Sequence, residues 1–367
     1  MRGVRAFEGG STTLAGIGGG AMKGLLVLVV GVLALSSVPA RAACDPVGGA
    51  QFICGIDAPE DLIRLPQTQW VLVSAMAEGK SHIYAVDSKT HAPVSLYPIE
   101  GAREVQDKKT YAACPGPLPK GTFGAHGIDL QPKGPGKHKL YAVNHSGRES
   151  IEVFDLDATG KTPSVTWIGC VVYPDGASGN SVVGLPDGGF ITSNFKDPKD
   201  ANAFQKMSEG KITGNVLEWH PGSGWKPLPG SDMSGANGVA LSNDGKWLYV
   251  AGWPGKNVTR FERTGDSWTK RDSTPTGILT DNLRWMADGS LLAAGQDANM
   301  PAVFQCRPPC YVASAAVKID PKTMKTTRLV NYAGNESFQG STTVIDVGNE
   351  FWVGSFRGDR IARLPAK

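Results

Sequence analysis

"SGANGVALSNDGKWLYVAG", residues 234–252, decides how the rest of the chain reads. A polar pair, Asn237-Gly238, opens an apolar run. An Asp-Gly turn follows at Asp244-Gly245, and then Trp247-Leu248-Tyr249-Val250. Asp-Gly between two strand-like runs is a strong short-range hairpin signal. The stretch therefore predicts two antiparallel strands, the first of which begins on a bare Asn.

The same hairpin recurs along the chain. It is seen as "EDLIRLPQTQWVLVSA" from Glu60, "NSVVGLPDGGFITSNF" from Asn180, "DNLRWMADGSLLAAG" from Asp281 and "STTVIDVGNEFWVGS" from Ser341. In these copies and the first, a large apolar residue opens the second strand ten positions on: Trp70, Phe190, Trp247, Leu291 and Phe351. A sixth copy, "HGIDLQPKGPGKHKLYAVNH" from His126, has a longer turn. Between the hairpins lie further strand pairs, such as "SIEVFDLDATGKTPSVTWIG" and "AAVKIDPKTMKTTRLVNY". Each unit is then about four short strands. Six units over residues 44–367 give about 54 residues each. All-β repeats of this length predict a six-bladed β-propeller with four-stranded blades around a central channel. A β-sandwich would not require six registered copies.

The chain has 367 residues, 19% of them charged, with 47 Gly and a net charge of +3. That is a globular composition, and it carries no Lys/Arg stripe of the kind that binds nucleic acid. Residues 1–43 read as a leader rather than part of the fold. "MKGLLVLVVGVLALSSVPARAA" from Met22, the expected true start, joins one Lys, an apolar run and an Ala40-Arg41-Ala42 cleavage pattern. The run is too short for a span, and no other segment could cross a membrane. The expectation is an exported, periplasmic or secreted protein with residues 44–367 as its one domain. Six cysteines in such a chain suggest disulfides, with 15 possible connectivities. The pairs expected are Cys114/Cys170 and Cys306/Cys310.

In a blade, the first strand of the recurrent hairpin lies nearest the axis. The residues that open it, Glu60, His126, Asn180, Asn237, Asp281 and Ser341, are all polar and should form one ring. Two carboxylates with the amide oxygens of Asn180, Asn237 and the adjacent Asn282 make a hard oxygen-donor set that suits calcium. His126 shares this ring, and His145 ends the strand that returns from it. A neutral His can take a proton from water while a second His orients it. Asn194 ends its hairpin in the same way and is expected to face the pocket.

In order and spacing, "APEDLIRLP", "AHGIDL", "LYAVNHSGRESIEVFDL", "GNSVVGLPDGGF", "ANGVALSNDGKWLYVA", "DNLRW" and "FQGST" resemble the paraoxonase, gluconolactonase and senescence-marker-protein superfamily, the paraoxonase branch most closely. The resemblance implies a six-bladed propeller with calcium in its channel that hydrolyses lactones and esters. It places the calcium ligands on Glu60, Asn180, Asn237, Asp281 and Asn282, and a His dyad on His126 and His145. A second, structural calcium in paraoxonases uses two Asp residues. Asp61 matches one, Ser181 replaces the other, and the Ile128 carbonyl could retain part of the site. A third pocket His appears here as Gln296, a candidate substrate-binding residue with Asn194. The chain ends without the cysteine that closes paraoxonases, so the first and last blades should close by strand pairing alone. Two functions follow: a calcium-dependent hydrolase of a small lactone or ester, or a non-enzymatic propeller with a calcium plug that binds a small ligand or protein.

Overall fold

The computed structural model describes residues 44–366; the leader read in residues 1–43 lies outside them. The described chain forms six sheets, each a blade of four antiparallel strands. The second blade gains a short fifth strand, Arg103–Glu104, paired parallel to Ser164–Val172. Two one-turn-scale helices, Ala203–Ser208 and Met300–Gln305, sit in loops. The predicted propeller is the observed fold.

Six inner strands line the channel: Pro59–Arg64, Ala125–Gly134, Ser178–Gly184, Ala236–Leu241, Leu279–Trp285 and Ser341–Val347. Each packs against the next, and the last against the first, so the ring is complete. The second strand of each blade is an apolar run because neighbouring blades cover both its faces. Trp70–Ala75, Trp247–Gly252 and Glu350–Ser355 are buried after their first residue. Large side chains fill the space between blades. Trp352, Tyr141, Tyr249 and Phe190 are buried to 1% exposure or less, and Phe190 stacks on Trp219 with ring centroids 5.5 Å apart. Fully burying a side chain of this size contributes about 2–3 kcal/mol against leaving it in water.

The ring closes by strand pairing, as expected. Gln51–Cys54, from the N-terminal end, pairs antiparallel with Arg360–Pro365 and completes the sixth blade. Cys114–Cys170 and Cys306–Cys310 are disulfides, as expected, and Cys44–Cys54 is the third. No helix among the described residues is long and apolar enough to cross a membrane.

One irregularity repeats in all six blades and positions the site. Near its start, each inner strand slips by one residue against its partner. The slips fall between Pro59 and Asp61, Ala125 and Ile128, Gly179 and Val182, Ala236 and Val239, Thr280 and Leu283, and Ser341 and Thr343. Such a bulge leaves a residue out of the ladder and re-aims its side chain. The residues so released are Glu60, His126-Gly127, Asn180-Ser181, Asn237-Gly238, Asp281-Asn282 and Thr342. The glycines at two of these slips have a steric reason. A Cβ on Gly127 would lie 2.4 Å from the Asn180 carbonyl oxygen, and one on Gly238 2.4 Å from that of Asp281. The bare Asn237-Gly238 of the opening stretch is thus a donor followed by the gap that lets the next blade approach.

Candidate metal centre and histidine pair

The bulges bring the predicted donors into one buried cluster. Glu60 is 0%, Asn180 6%, Asn237 3%, Asp281 6% and Asn282 1% exposed. Two of the amides are turned to neighbouring carboxylates. Asn282 Nδ2 donates to Glu60 Oε1 at 2.8 Å, and the Asn237 amide hydrogen-bonds Asp281. Asp281 Oδ2 also accepts from Gln296 Nε2 at 2.9 Å. The remaining acceptors are left over. Glu60 Oε2, Asn180 Oδ1, Asn237 Oδ1 and Asn282 Oδ1 are all buried with no hydrogen-bond donor.

Each buried acceptor without a partner costs about 1–3 kcal/mol, and the cost is larger for a charged group. Four in one cluster, on residues from blades 1, 3, 4 and 5, are a large and concentrated penalty. Burial pushes the Glu60 carboxyl well above its usual range, and the charges of Asp61 and Asp281 add to the rise. Burial likewise pushes Asp281 up to about 7. A hard cation satisfies all of these oxygens at once, so the residues present fit one. Among the described residues, no group of three or more His, Cys, Asp or Glu side chains is set to hold a metal. The donors here are two carboxylates and three amides, a set in which amide groups outnumber carboxylates.

The sixth ring position differs from expectation. Ser341 stays in the ladder opposite Ser355, and its hydroxyl donates to the Gly295 carbonyl at 2.6 Å. Thr342 occupies the slip instead and donates to the Glu60 carbonyl at 2.5 Å. The cause is a shorter turn: Val347 pairs directly with Glu350, so counting back from Phe351 overshoots by one.

The pair read for a second ion is engaged otherwise. Asp61 Oδ2 accepts from Ile128 N at 2.9 Å and from Arg284 Nη2. The same Nη2 donates to the Ile128 carbonyl at 2.8 Å, and Arg284 Nε donates to the Leu62 carbonyl at 2.9 Å. A guanidinium therefore bridges the Asp61 carboxylate and the Ile128 carbonyl. Beyond it, the far ends of the inner strands line a cavity of about 1120 Å³. Its walls include Leu65, Leu130, Leu241 and Trp285, and none of the five donors lines it.

His126 and His145 meet as predicted. His126 Nδ1 lies 2.8 Å from His145 Nε2. His126 Nε2 lies 3.6 Å from Glu60 Oε1, which puts the pair directly over the donor cluster. That distance is too long for a hydrogen bond. Burial, and then the neighbouring His145, hold His126 well below the ordinary imidazole range, so it is neutral near pH 7. Its side chain is 14% exposed and that of His145 27%, so access rises from the cluster outward. Sequence reasoning missed Glu149, whose Oε2 lies 2.9 Å from His145 Nδ1.

A second layer stands one step beyond the last ladder pair. His145 N donates to the Gly124 carbonyl, and Trp253 N donates to the Gly235 carbonyl in the equivalent place. Gln296, opposite Leu279, holds this position in blade 5. Gln296 is fully buried, and its amide is committed. It donates to Asp281 and to the Ser341 carbonyl at 2.7 Å and accepts from Trp253 Nε1 at 2.8 Å. It braces a donor rather than facing the pocket. Asn194 stays in the ladder opposite Gly179. Its Oδ1 accepts from Ser178 N and its Nδ2 donates to Asn215, so its neighbour Phe195 follows the ladder as His145 does. Phe195, Trp253, Phe204 and Phe304 form an aromatic cluster with adjacent centroids 5.0–6.2 Å apart. Counting one residue past each hairpin would have found Phe195 and Trp253.

No family model matches the chain. It is 26% identical to human serum paraoxonase/lactonase 3 over 238 residues, which is 63% of this chain and 66% of that protein, just under two thirds. Among solved structures, a gluconolactonase from Xanthomonas campestris superposes with a TM-score of 0.51 at 15% identity, over 89% of this chain and 97% of its own. A luciferin-regenerating enzyme gives 0.53 at 14%, over 86% and 96%.

Proposed function

The chain belongs to the paraoxonase/gluconolactonase-like superfamily, and we propose that it is a calcium-dependent hydrolase of lactones or small esters. The observation that carries this reading is the set of four buried, donorless oxygens directly beneath a hydrogen-bonded His pair. Glu60, Asn180, Asn237, Asp281 and Asn282 would hold the ion. When bound, calcium supplies a Lewis acid that polarises a carbonyl and stabilises the oxyanion formed from it.

The chain supplies the proton chemistry. Neutral His126 has Nε2 free of hydrogen bonds among the described residues and takes a proton from the attacking water. His145 holds the ring through Nδ1. The water oxygen forms a bond to the acyl carbon, and the ring C–O or ester C–O bond breaks. The proton on His126 passes to the departing alkoxide oxygen, which leaves a hydroxy acid, or an alcohol and an acid. Gln296 fixes Asp281 while its own amide stays fully bonded. A calcium plug without catalysis would account for the donor ring but would leave the His pair without a task.

The test is a panel of lactones and aryl esters, each run with and without chelator. Hydrolysis that chelation abolishes and calcium restores is the expected result. Silence across the panel at full calcium occupancy would return the reading to a binding propeller.

A further inference from the structure

The His pair does not end at His145. Glu149 lies in the turn after it, and its carboxylate meets His145 Nδ1 at 2.9 Å. The turn is fixed at both ends. His145 N donates to the Gly124 carbonyl, and the Glu149 carbonyl accepts from Tyr173 N, both at 3.0 Å. The adjacent cation is removed from competition. Arg148 donates from Nε and Nη2 to the two oxygens of Glu152 at 2.9 and 3.0 Å, and from Nη1 to the Gly116 carbonyl. The Glu149 carboxylate is therefore free to act on the imidazole.

An ionised carboxylate only accepts. Its partner, His145 Nδ1, must carry the proton. In a neutral ring Nε2 is then bare and accepts from His126 Nδ1–H. In neutral His126 that leaves Nε2 with its lone pair on the side of Glu60 and the donor cluster. One carboxylate at the rim thus sets both tautomers in series.

We infer that Glu149 is a positioning residue that fixes the tautomers of His145 and His126, so that His126 presents a bare Nε2 to the attacking water. The inference rests on the hydrolase reading for its purpose, but the tautomers can be read without any substrate. As His126 takes a proton at Nε2, its Nδ1–H bond to His145 strengthens, and the Glu149 charge stabilises the pair.

The test uses the full mature protein with calcium bound. Long-range ¹H–¹⁵N spectra of its six histidines report which nitrogen of each ring is protonated, with assignments from His126→Gln and His145→Gln. The wild type should show both rings protonated at Nδ1. Glu149→Ala should lose that single pattern and lower kcat by at least about tenfold, with KM changed much less. Glu149→Gln loses the charge and can turn its NH2 toward Nδ1, so it should depart from the wild-type tautomers and rate as Glu149→Ala does. Glu149→Asp keeps a carboxylate and should restore part of both. A wild-type spectrum with His126 protonated at Nε2 would overturn the inference. So would Glu149→Ala with unchanged spectrum and kcat. If the wild type hydrolyses nothing, the hydrolase reading falls, and the spectra still decide what Glu149 does.

Discussion

Arg284 is bound to the Asp61 carboxylate inside the channel, though the two lie 223 residues apart in sequence. Asp61 is 0% exposed and Arg284 7%, so this is a buried ion pair, and its remaining atoms are hydrogen-bonded to backbone. The guanidinium brings a permanent positive charge to the Asp61 carboxylate and the Ile128 carbonyl. We expect calorimetric titration with calcium to give one ion per chain. Two ions of similar affinity would mean that Arg284 yields its place.

The same pair predicts a stability effect. Removing one partner of a buried pair typically costs about 3–5 kcal/mol. Arg284→Met should lower stability by about that much, because it leaves Asp61 buried and uncompensated. Denaturant unfolding with calcium held constant measures it, and a loss under about 1 kcal/mol would refute the prediction.

The donors and the base should separate in mutagenesis. Asp281→Ala removes a ligand and should abolish both calcium binding and hydrolysis. His126→Gln should leave calcium affinity unchanged while lowering kcat by about 10²–10⁴-fold, the usual contribution of a general base. Wild-type hydrolysis by Asp281→Ala in the presence of chelator would sink the mechanism.

His220 gives a pH-dependent contribution away from the channel. Its two ring nitrogens meet Asp187 Oδ2 at 2.6 Å and Glu218 Oε1 at 2.9 Å. Burial lowers its pKa, but the two hydrogen bonds and the two charges outweigh that and raise it above the ordinary 6.5. A raised folded value means the folded state holds the proton more tightly. The stabilisation is complete below about 6.5 and is lost as pH rises through the folded value. Stability curves of wild type and His220→Gln should therefore diverge below pH 6.5 and converge at higher pH. Parallel curves would contradict this.

Cys114–Cys170 closes a loop with a sequence separation of 56. In the chain-entropy picture a loop of that length is worth about 4 kcal/mol. A Cys114→Ala/Cys170→Ala double variant should lose about that much in equilibrium unfolding, with calcium affinity retained.

The fold was legible because a fixed period in the sequence is a fixed period in space. The donors were legible for the same reason: in the four blades that carry them, ring residue and apolar strand start lie ten positions apart. Thr342 escaped because a two-residue turn shortened one interval. Asn194 was read where Phe195 stands because a register slip in that blade moves the count by one. Arg284 and Glu149 were harder. Arg284 acts across to other blades, on Asp61 and on the Ile128 carbonyl, and no local pattern marks such a contact. Glu149 lies four residues after His145, but its role depends on Arg148 turning away to Glu152.

The seam between Gln51–Cys54 and Arg360–Pro365 joins the earliest and latest parts of the domain in one sheet. A growing polypeptide cannot shut the propeller until its final strand has been synthesised. The donor ring is therefore complete only once both strands are paired, and removing either of them should disturb a cluster many residues away.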